Sequence, residues 1–374
     1  MAPPRRQGTP FPFEGPVPRE MLIDRADELG LLARRAGDRV NVRLVGPRRY
    51  GKTTLVLAHA DQLREVGWRA VHVDFSRVAD LTDVARRIAS AYAALDPSWI
   101  RSHLSALLGR IGISLSPTGP TLTVGARPAR GDVQSAETVI YQLLDLPLAL
   151  YERDEASTLV VFDEFQDLLV ARKDLDGLLR SRIQYHGDAA VYVYAGSEPS
   201  MMRELFEARE RPLFGQADPL DLGPLPQPET LDDLAGRFRG ERLSPGECLG
   251  DIVVFAGGHP QRTMLLAYLL ADRLAAGEES TPELTARVVD DAVARVAPGY
   301  RVLWQQVGAA ERVVLAAVAD GRGPTSRSLA DEHNLGRTTL NAAADRLADQ
   351  GHLLREAHGS RLVDPLLAEW VRRR

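Results

Sequence analysis

The chain has a single cysteine, Cys248, in 374 residues, so no internal disulfide framework holds it together, and a reducing compartment suits it. No apolar run approaches the length of a membrane span, and the N-terminus shows no signal-peptide core. The expected location is therefore cytoplasmic, with no membrane partner. Lysine is almost missing: Lys52 and Lys173 are the two in a total of 46 Lys plus Arg. A formal net charge of −5 gives no global basic field, so any contact with nucleic acid has to come from a local surface. What remains, 44% hydrophobic and 26% charged residues, describes a globular chain long enough for two or three cores.

One of the two lysines lies in the stretch around which the chain is organised. A strand-like run, Val42 to Val45, leads into Gly46-Pro47-Arg48-Arg49-Tyr50-Gly51-Lys52-Thr53, and Thr54 and Leu55 continue into a helix-like stretch to Glu65. The spacing G-x-x-x-x-G-K-[ST] is that of a phosphate-binding loop. Its glycines let backbone N–H groups turn inward around phosphates, and the helix N-terminus adds its positive dipole end. Lys52 is expected to reach the outer phosphates, and the Thr53 hydroxyl to hold Mg²⁺. Chance would produce such a pattern in roughly one chain per thousand of this composition. In a chain that otherwise uses Arg, a Lys marks a place for a compact ammonium.

In chain order, Met1 to Glu20 carries six prolines and no apolar period, and reads as an extended, poorly ordered arm. Asp24 is the expected cap of a helix ending near Gly37. A second strand is expected over Trp68 to Phe75, a helix over Asp80 to Leu95, an irregular stretch with a hairpin between Ile111 and Val124, and a helix over Ser135 to Tyr151. Thr158-Leu-Val-Val-Phe162 is continuously apolar and ends in Asp163-Glu164, the pattern of a buried parallel strand with carboxylates at its C-terminal edge. There Asp163 would hold Mg²⁺ and Glu164 would polarise an attacking water; the alternative is a helix cap at Asp163 and a solvated Glu164. Ala189 to Ala195 reads as another strand ending at Ser197. That serine would touch the γ-phosphate or the water, or else cap the helix starting near Pro199. Beyond Pro224 the pattern becomes helix after helix.

Taken together these residues resemble a family. Ile23-Asp24-Arg25 with Glu28 and Leu29, the loop Gly46 to Thr53, Val161 to Gln166, Gly196-Ser197, Pro212 to Gly215 and Gly257-Gly258-His259-Pro260 occur in the order found in archaeal-type P-loop ATPases of the AAA+/STAND grouping, which are related to origin-recognition-type initiators. The resemblance spans Pro18 to Ala297. It implies ATP or ADP with Mg²⁺ as cofactors, and an α/β fold with an ASCE-type parallel sheet in which the Asp163 strand lies beside the loop strand. It also implies an all-helical lid whose Gly258-His259-Pro260 turn faces the nucleotide. One departure stands out: Gln216 follows the Pro212 to Gly215 turn where the family commonly has a finger arginine, and Arg209 or Arg211 would have to replace it.

The last stretch, from Gly299, gives three short helices and a hairpin about His358-Gly359-Ser360, an order similar to winged helix-turn-helix domains. DNA contact would use Arg337, Thr338 and Asn341 in the major groove, Arg361 at the wing and Arg372 to Arg374 on phosphates. Yet 11 Arg face 9 Asp plus Glu from Gly299 onward, a small excess for a non-specific binder. The expected organisation is an arm over 1–20, an ATPase domain over 21–224, a lid over 225–298 and a winged domain over 299–374. Three functions fit it: an ATPase that resets a switch, slowly hydrolysing ATP to ADP; a nucleotide-set DNA-binding regulator; and a signalling or defence scaffold that assembles as a homo-oligomer or with a protein partner.

Overall fold

The computed structural model describes residues 9–95, 98–109, 111, 113–116, 119–122, 132–356 and 359–374. It comprises two compact units: Arg25–Gly46 with Lys52–Asp221, and Pro47–Gly51 with Leu222–Arg374 and the described part of Met1–Asp24.

The first unit runs α1 (Ala26–Gly37), β1 (Val42–Val45), α2 (Lys52–Glu65), β2 (Arg69–Asp74), α3 (Leu81–Ala93), α4 (Ser98–Gly109), β3 (Ile113–Ser116) and β4 (Gly119–Leu122). It continues with α5 (Asp132–Leu144), α6 (Leu146–Asp154), β5 (Thr158–Asp163), α7 (Leu168–Ala171), α8 (Leu175–Ile183), β6 (Ala190–Gly196), α9 (Pro199–Glu207) and β7 (Asp218–Asp221). Five strands form a parallel sheet in the order β2-β5-β6-β1-β7. Composition explains the order. β5 and β6 are buried at every residue and need neighbours on both sides, whereas β2 is only partly buried and β7 alternates, so both suit edges, where Pro219 costs no ladder bond.

Several expectations change here. β6 lies between β1 and β5, so the Asp163 strand is not beside the loop strand. The helix read over Ser135 to Tyr151 is two helices, because Pro147 lacks an N–H and its ring cannot follow the preceding turn. The stretch expected to be irregular contains α4, whose Ile100, Leu104, Leu107 and Leu108 are buried at helical spacing. α1 starts after Arg25 without a side-chain cap, so Asp24 does not serve as one. The hairpin β3–β4 forms as expected, while Gly112, Pro117, Thr118, Thr123 and Val124 lie outside the described residues.

The second unit contains α10 (Gln227–Gly240), α11 (Cys248–Ala256), α12 (Pro260–Ala275), α13 (Pro282–Gln306), α14 (Ala309–Ala319), α15 (Arg327–Glu332), α16 (Arg337–Asp349), β8 (Leu353–Glu356), β9 (Gly359–Leu362) and α17 (Pro365–Arg372). One hydrophobic core extends from Phe11 through Leu266 and Leu315 to Val371. The boundary read at 298/299 falls inside α13, which continues through Pro298. Pro298 is on the exposed face, so the carbonyl that loses its partner can turn to water. A buried polar cluster ties three of these helices together. Arg262 of α12 donates to both carboxylate oxygens of Asp364, the cap of α17, at 2.9 and 2.5 Å, and the Tyr300 hydroxyl of α13 donates to Asp364 at 2.6 Å. The fork geometry of a guanidinium makes this arrangement possible.

The arm expected over 1–20 is also different. Residues 1–8, like His358 of the second hairpin, lie outside the described residues, but from Thr9 on the chain is anchored. Phe11 is 1% exposed with its ring 4.6 Å from Phe238, Phe13 meets Tyr268 at 5.0 Å, and Arg237 donates to the carbonyls of Pro10 and Met21 at 2.9 Å each. Two aromatics among the prolines supply the apolar area that a polar arm would lack. Phe11→Ala is therefore expected to lower unfolding free energy by roughly 3 kcal/mol or more in denaturant titrations. A deletion of residues 1–20 with unchanged stability would restore the arm.

Acid sensitivity follows from two buried imidazoles of the first unit. Burial pushes His59 and His186 each down to about 4. Between pH 6.5 and 4 the unfolded chain takes up protons that the folded chain refuses, so the stability these two groups confer falls as pH falls through this window, and their contribution levels off below it. Urea midpoints at pH 7, 5.5 and 4.5 measure this, and His59→Gln should flatten the slope; equal midpoints would contradict the neutral buried state.

Candidate nucleotide site

β1 delivers the chain to Gly46, whose N–H donates to the Gly196 carbonyl at 3.4 Å. The loop then turns through left-handed backbone at Arg49 (φ 66°) and Gly51 (φ 89°), and α2 starts at Lys52. Lys52 is buried, with Nζ donating to the Gly46 carbonyl at 2.8 Å across the loop. One residue on, Thr53 Oγ1 donates to Asp163 Oδ2 at 2.7 Å.

Asp163 is 4% exposed. Its Oδ2 also lies 3.2 Å from His72 Nε2, and its Oδ1 accepts from the Glu164 N–H at 3.0 Å. Burial works against its charge, but the hydrogen bonds from His72 and Thr53 and the charges of His72 and Lys52 outweigh it and hold the carboxyl below its usual value. A hydroxyl beside an ionised carboxylate is a hard oxygen donor pair that fits Mg²⁺, which keeps most of its waters.

Phe162 and Phe165 bracket the two acids. Their rings lie 6.1 Å apart, Phe165 meets Tyr194 at 4.9 Å and Phe206 at 5.8 Å, and Phe75 meets Phe162 at 5.4 Å. With both flanking rings in the core, Glu164 is left in left-handed backbone (φ 48°, ψ 46°), which costs a non-glycine residue on the order of 1 kcal/mol. Its Oε2 accepts from Ser197 Oγ at 2.6 Å and from Gln166 Nε2 at 2.7 Å. Ser197 is fully buried and does not cap α9, whose cap is Glu198.

Of the residues singled out in the sequence, Lys52, Thr53, Asp163, Glu164 and Ser197 come together on one end of the sheet. Thr54 is buried in the first turn of α2. Pro47, Arg48, Arg49, Tyr50 and Gly51 are counted in the second unit, where the buried Tyr50 ring meets His259 edge-on at 5.1 Å. His259 caps α12 through Nδ1, and Pro260 is the first residue of that helix. Arg211 is engaged with Glu204 at 2.6 Å and lies 3.6 Å from Asp176, and Arg209 is exposed. The Gln216 carbonyl accepts from Asn41 at 3.4 Å. Arg337, Thr338 and Asn341 are exposed on the first turn of α16, whereas the C-terminal arginines are held within the unit. Arg372 donates to the Ala319 carbonyl at 2.6 Å, Arg373 pairs with Asp290 at 2.7 Å, and Arg374 stacks over Trp304 and Trp370 at 4.9 Å.

Two participants were not anticipated. His72 alternates with the apolar positions of β2, and its register opposite Val161 puts it on the face of Asp163. Gln166 follows the acids by two and three positions in a buried turn. A polar residue inside an otherwise apolar pattern was the available signal for both.

The sheet order, the loop between β1 and α2, and the carboxylates at the end of β5 define a P-loop NTPase fold of the ASCE/AAA+ type. No protein-family model matches the sequence, and no curated protein matches it. Among solved structures it is similar to a Walker-type ATPase of Pyrococcus abyssi, with a TM-score of 0.70 at 18% identity over 97% of this chain and 100% of that one. It is also similar to the ORC2 protein of Aeropyrum pernix, with a TM-score of 0.63 at 17% identity over 96% of each chain for the ADPNP–ADP complexes, and 0.54 for the ADP form. The shared fold thus covers nearly the whole chain and is that of archaeal Walker-type ATPases and origin-recognition-like proteins. No helix among the described residues is long and apolar enough to cross a membrane.

Proposed function

We propose that the protein binds ATP and ADP with Mg²⁺, hydrolyses ATP slowly, and uses the difference between the two states to set a C-terminal winged helix-turn-helix that contacts DNA or a partner protein. The observation that carries this reading is the 2.7 Å contact of Thr53 with an ionised, buried Asp163, with Glu164 immediately beyond it. Loop N–H groups, the α2 N-terminus and Lys52 would bind the phosphates. Thr53 and Asp163 would hold Mg²⁺, which would supply positive charge against the phosphoryl oxygens. Glu164 would orient and polarise the attacking water, and Ser197 would hold Glu164 in place. Gln216, in place of a finger arginine, supports slow turnover.

The run α14, α15, α16, β8, β9 supports the winged reading, with Asn334 in left-handed backbone (φ 50°) at the turn before α16. Arg337, Thr338, Asn341 and Arg361 are the residues offered to DNA. The internal engagement of Arg372 to Arg374 removes phosphate contacts and favours a protein partner as second reading. Duplex-DNA affinity measured against salt separates them, since phosphate neutralisation gives a steep linear dependence and a protein-directed module gives none.

Lys52→Ala is expected to weaken binding of labelled ATP roughly tenfold to hundredfold, and Glu164→Gln to spare binding while lowering turnover about 10²-fold or more. Unchanged binding in the former would sink the site.

Because the lid helices and the winged elements share one core, the proposed switch moves the second unit as a body. Such coupling requires unequal affinity of ATP and ADP for the two arrangements. With Cys248→Ser, labels on Tyr185→Cys and Ser360→Cys should give different distance distributions in ADP and in ATP with Glu164→Gln. A single distribution in both would leave a rigid nucleotide-bound scaffold.

A further inference from the structure

We infer that Gln166 is a positioning residue that holds Glu164 in its hydrolytic orientation; this rests on the assignment of Glu164 proposed above. Gln166 is 1% exposed, and its Nε2 donates to Glu164 Oε2 at 2.7 Å and to Asp167 Oδ1 at 3.2 Å. Both neighbours are acceptors, so the amide nitrogen must face them, and this fixes the flip. The amide oxygen is then left buried without a hydrogen-bond partner among the described residues. An unpaired buried carbonyl is destabilising, and a methionine would fill the same space without that cost. Packing alone therefore does not account for glutamine here; donation to Glu164 does.

The neighbouring strand makes room for the same amide. Gly196, at the end of β6, does not have positive φ, so its backbone does not require glycine. A Cβ there would lie 2.7 Å from Gln166 Oε1 and 2.5 Å from Met202 Cγ and Sδ. Glycine at 196 is the space into which the Gln166 carbonyl fits. Glu164 itself sits in unfavourable left-handed backbone, where a free side chain would have several rotamers. Two donors on Oε2, Ser197 just past the end of β6 and Gln166 from the turn, select one of them and leave Oε1 to accept the hydrogen bond of the attacking water. Ser197 alone fixes one point; the second donor fixes the rotation of the carboxylate.

The test is single-turnover and steady-state hydrolysis by the full chain carrying Gln166→Met, Gln166→Asn, Glu164→Gln, and Gln166→Met combined with Glu164→Gln. The expected result is a kcat lowered about tenfold in both Gln166 variants, with KM and ATP affinity within twofold of the parent. In the Glu164→Gln background, Gln166→Met should cause no further loss, because its effect acts through that carboxylate. Gln166→Asn keeps a polar amide in the turn but cannot reach Glu164, so it reports even if the methionine variant fails to fold. Unchanged kcat, a parallel loss of nucleotide affinity, or a loss that persists in the Glu164→Gln background would each overturn the inference. If Glu164→Gln itself hydrolyses ATP normally, the base assignment fails instead, a result distinct from any of these.

Discussion

The buried negative charge of Asp163 organises the hydrogen bonds at the candidate-site end of the sheet unit. Asp163 is almost fully out of water, and an uncompensated carboxylate there would take up a proton rather than bear the desolvation cost. Its charge is retained because three donors converge on it from three places in the sequence: Thr53 from the first turn of α2, His72 from β2, and the N–H of Glu164 from its own chain. Each donor requires a particular neighbour relation, so the position of the loop helix and the register of β2 against β5 both bear on the state of this carboxylate.

The same end of the sheet shows how apolar packing aims polar chemistry. Phe162 and Phe165 enter the core on either side of Asp163-Glu164, and the chain between them has to reverse in a strained conformation. The insertion of β6 next to β5 then puts Ser197 on Glu164. Had the two strands been ordered otherwise, a buried serine would have lacked this acceptor.

The second unit is built on a different principle. Its helices α10 to α13 and its C-terminal elements are one packed body, with α13 running unbroken through Pro298 and the Arg262–Asp364–Tyr300 cluster tying α12, α13 and α17. Breaking a buried ion pair by removing one partner is costly, so such a cluster fixes orientation even where it adds little net stability.

The loop at Gly46 to Thr53, the carboxylates after an apolar strand, and the change to a mainly helical pattern past Pro224 were legible in the sequence, because each depends on neighbours within a few residues: a fixed spacing, a short apolar run, a period of 3.6. Strand order, the partners of Glu164, the helix through Pro298 and the anchoring of Phe11 were not, since each depends on which distant surface covers a residue. Pro298 reads as a break until its exposed position is known, and the prolines before Glu20 read as an arm until Phe238 is seen under Phe11. Local spacing determined which chemical groups the protein has. Tertiary packing decided which of them share a hydrogen bond, because a parallel sheet brings together strand ends that the sequence keeps many residues apart.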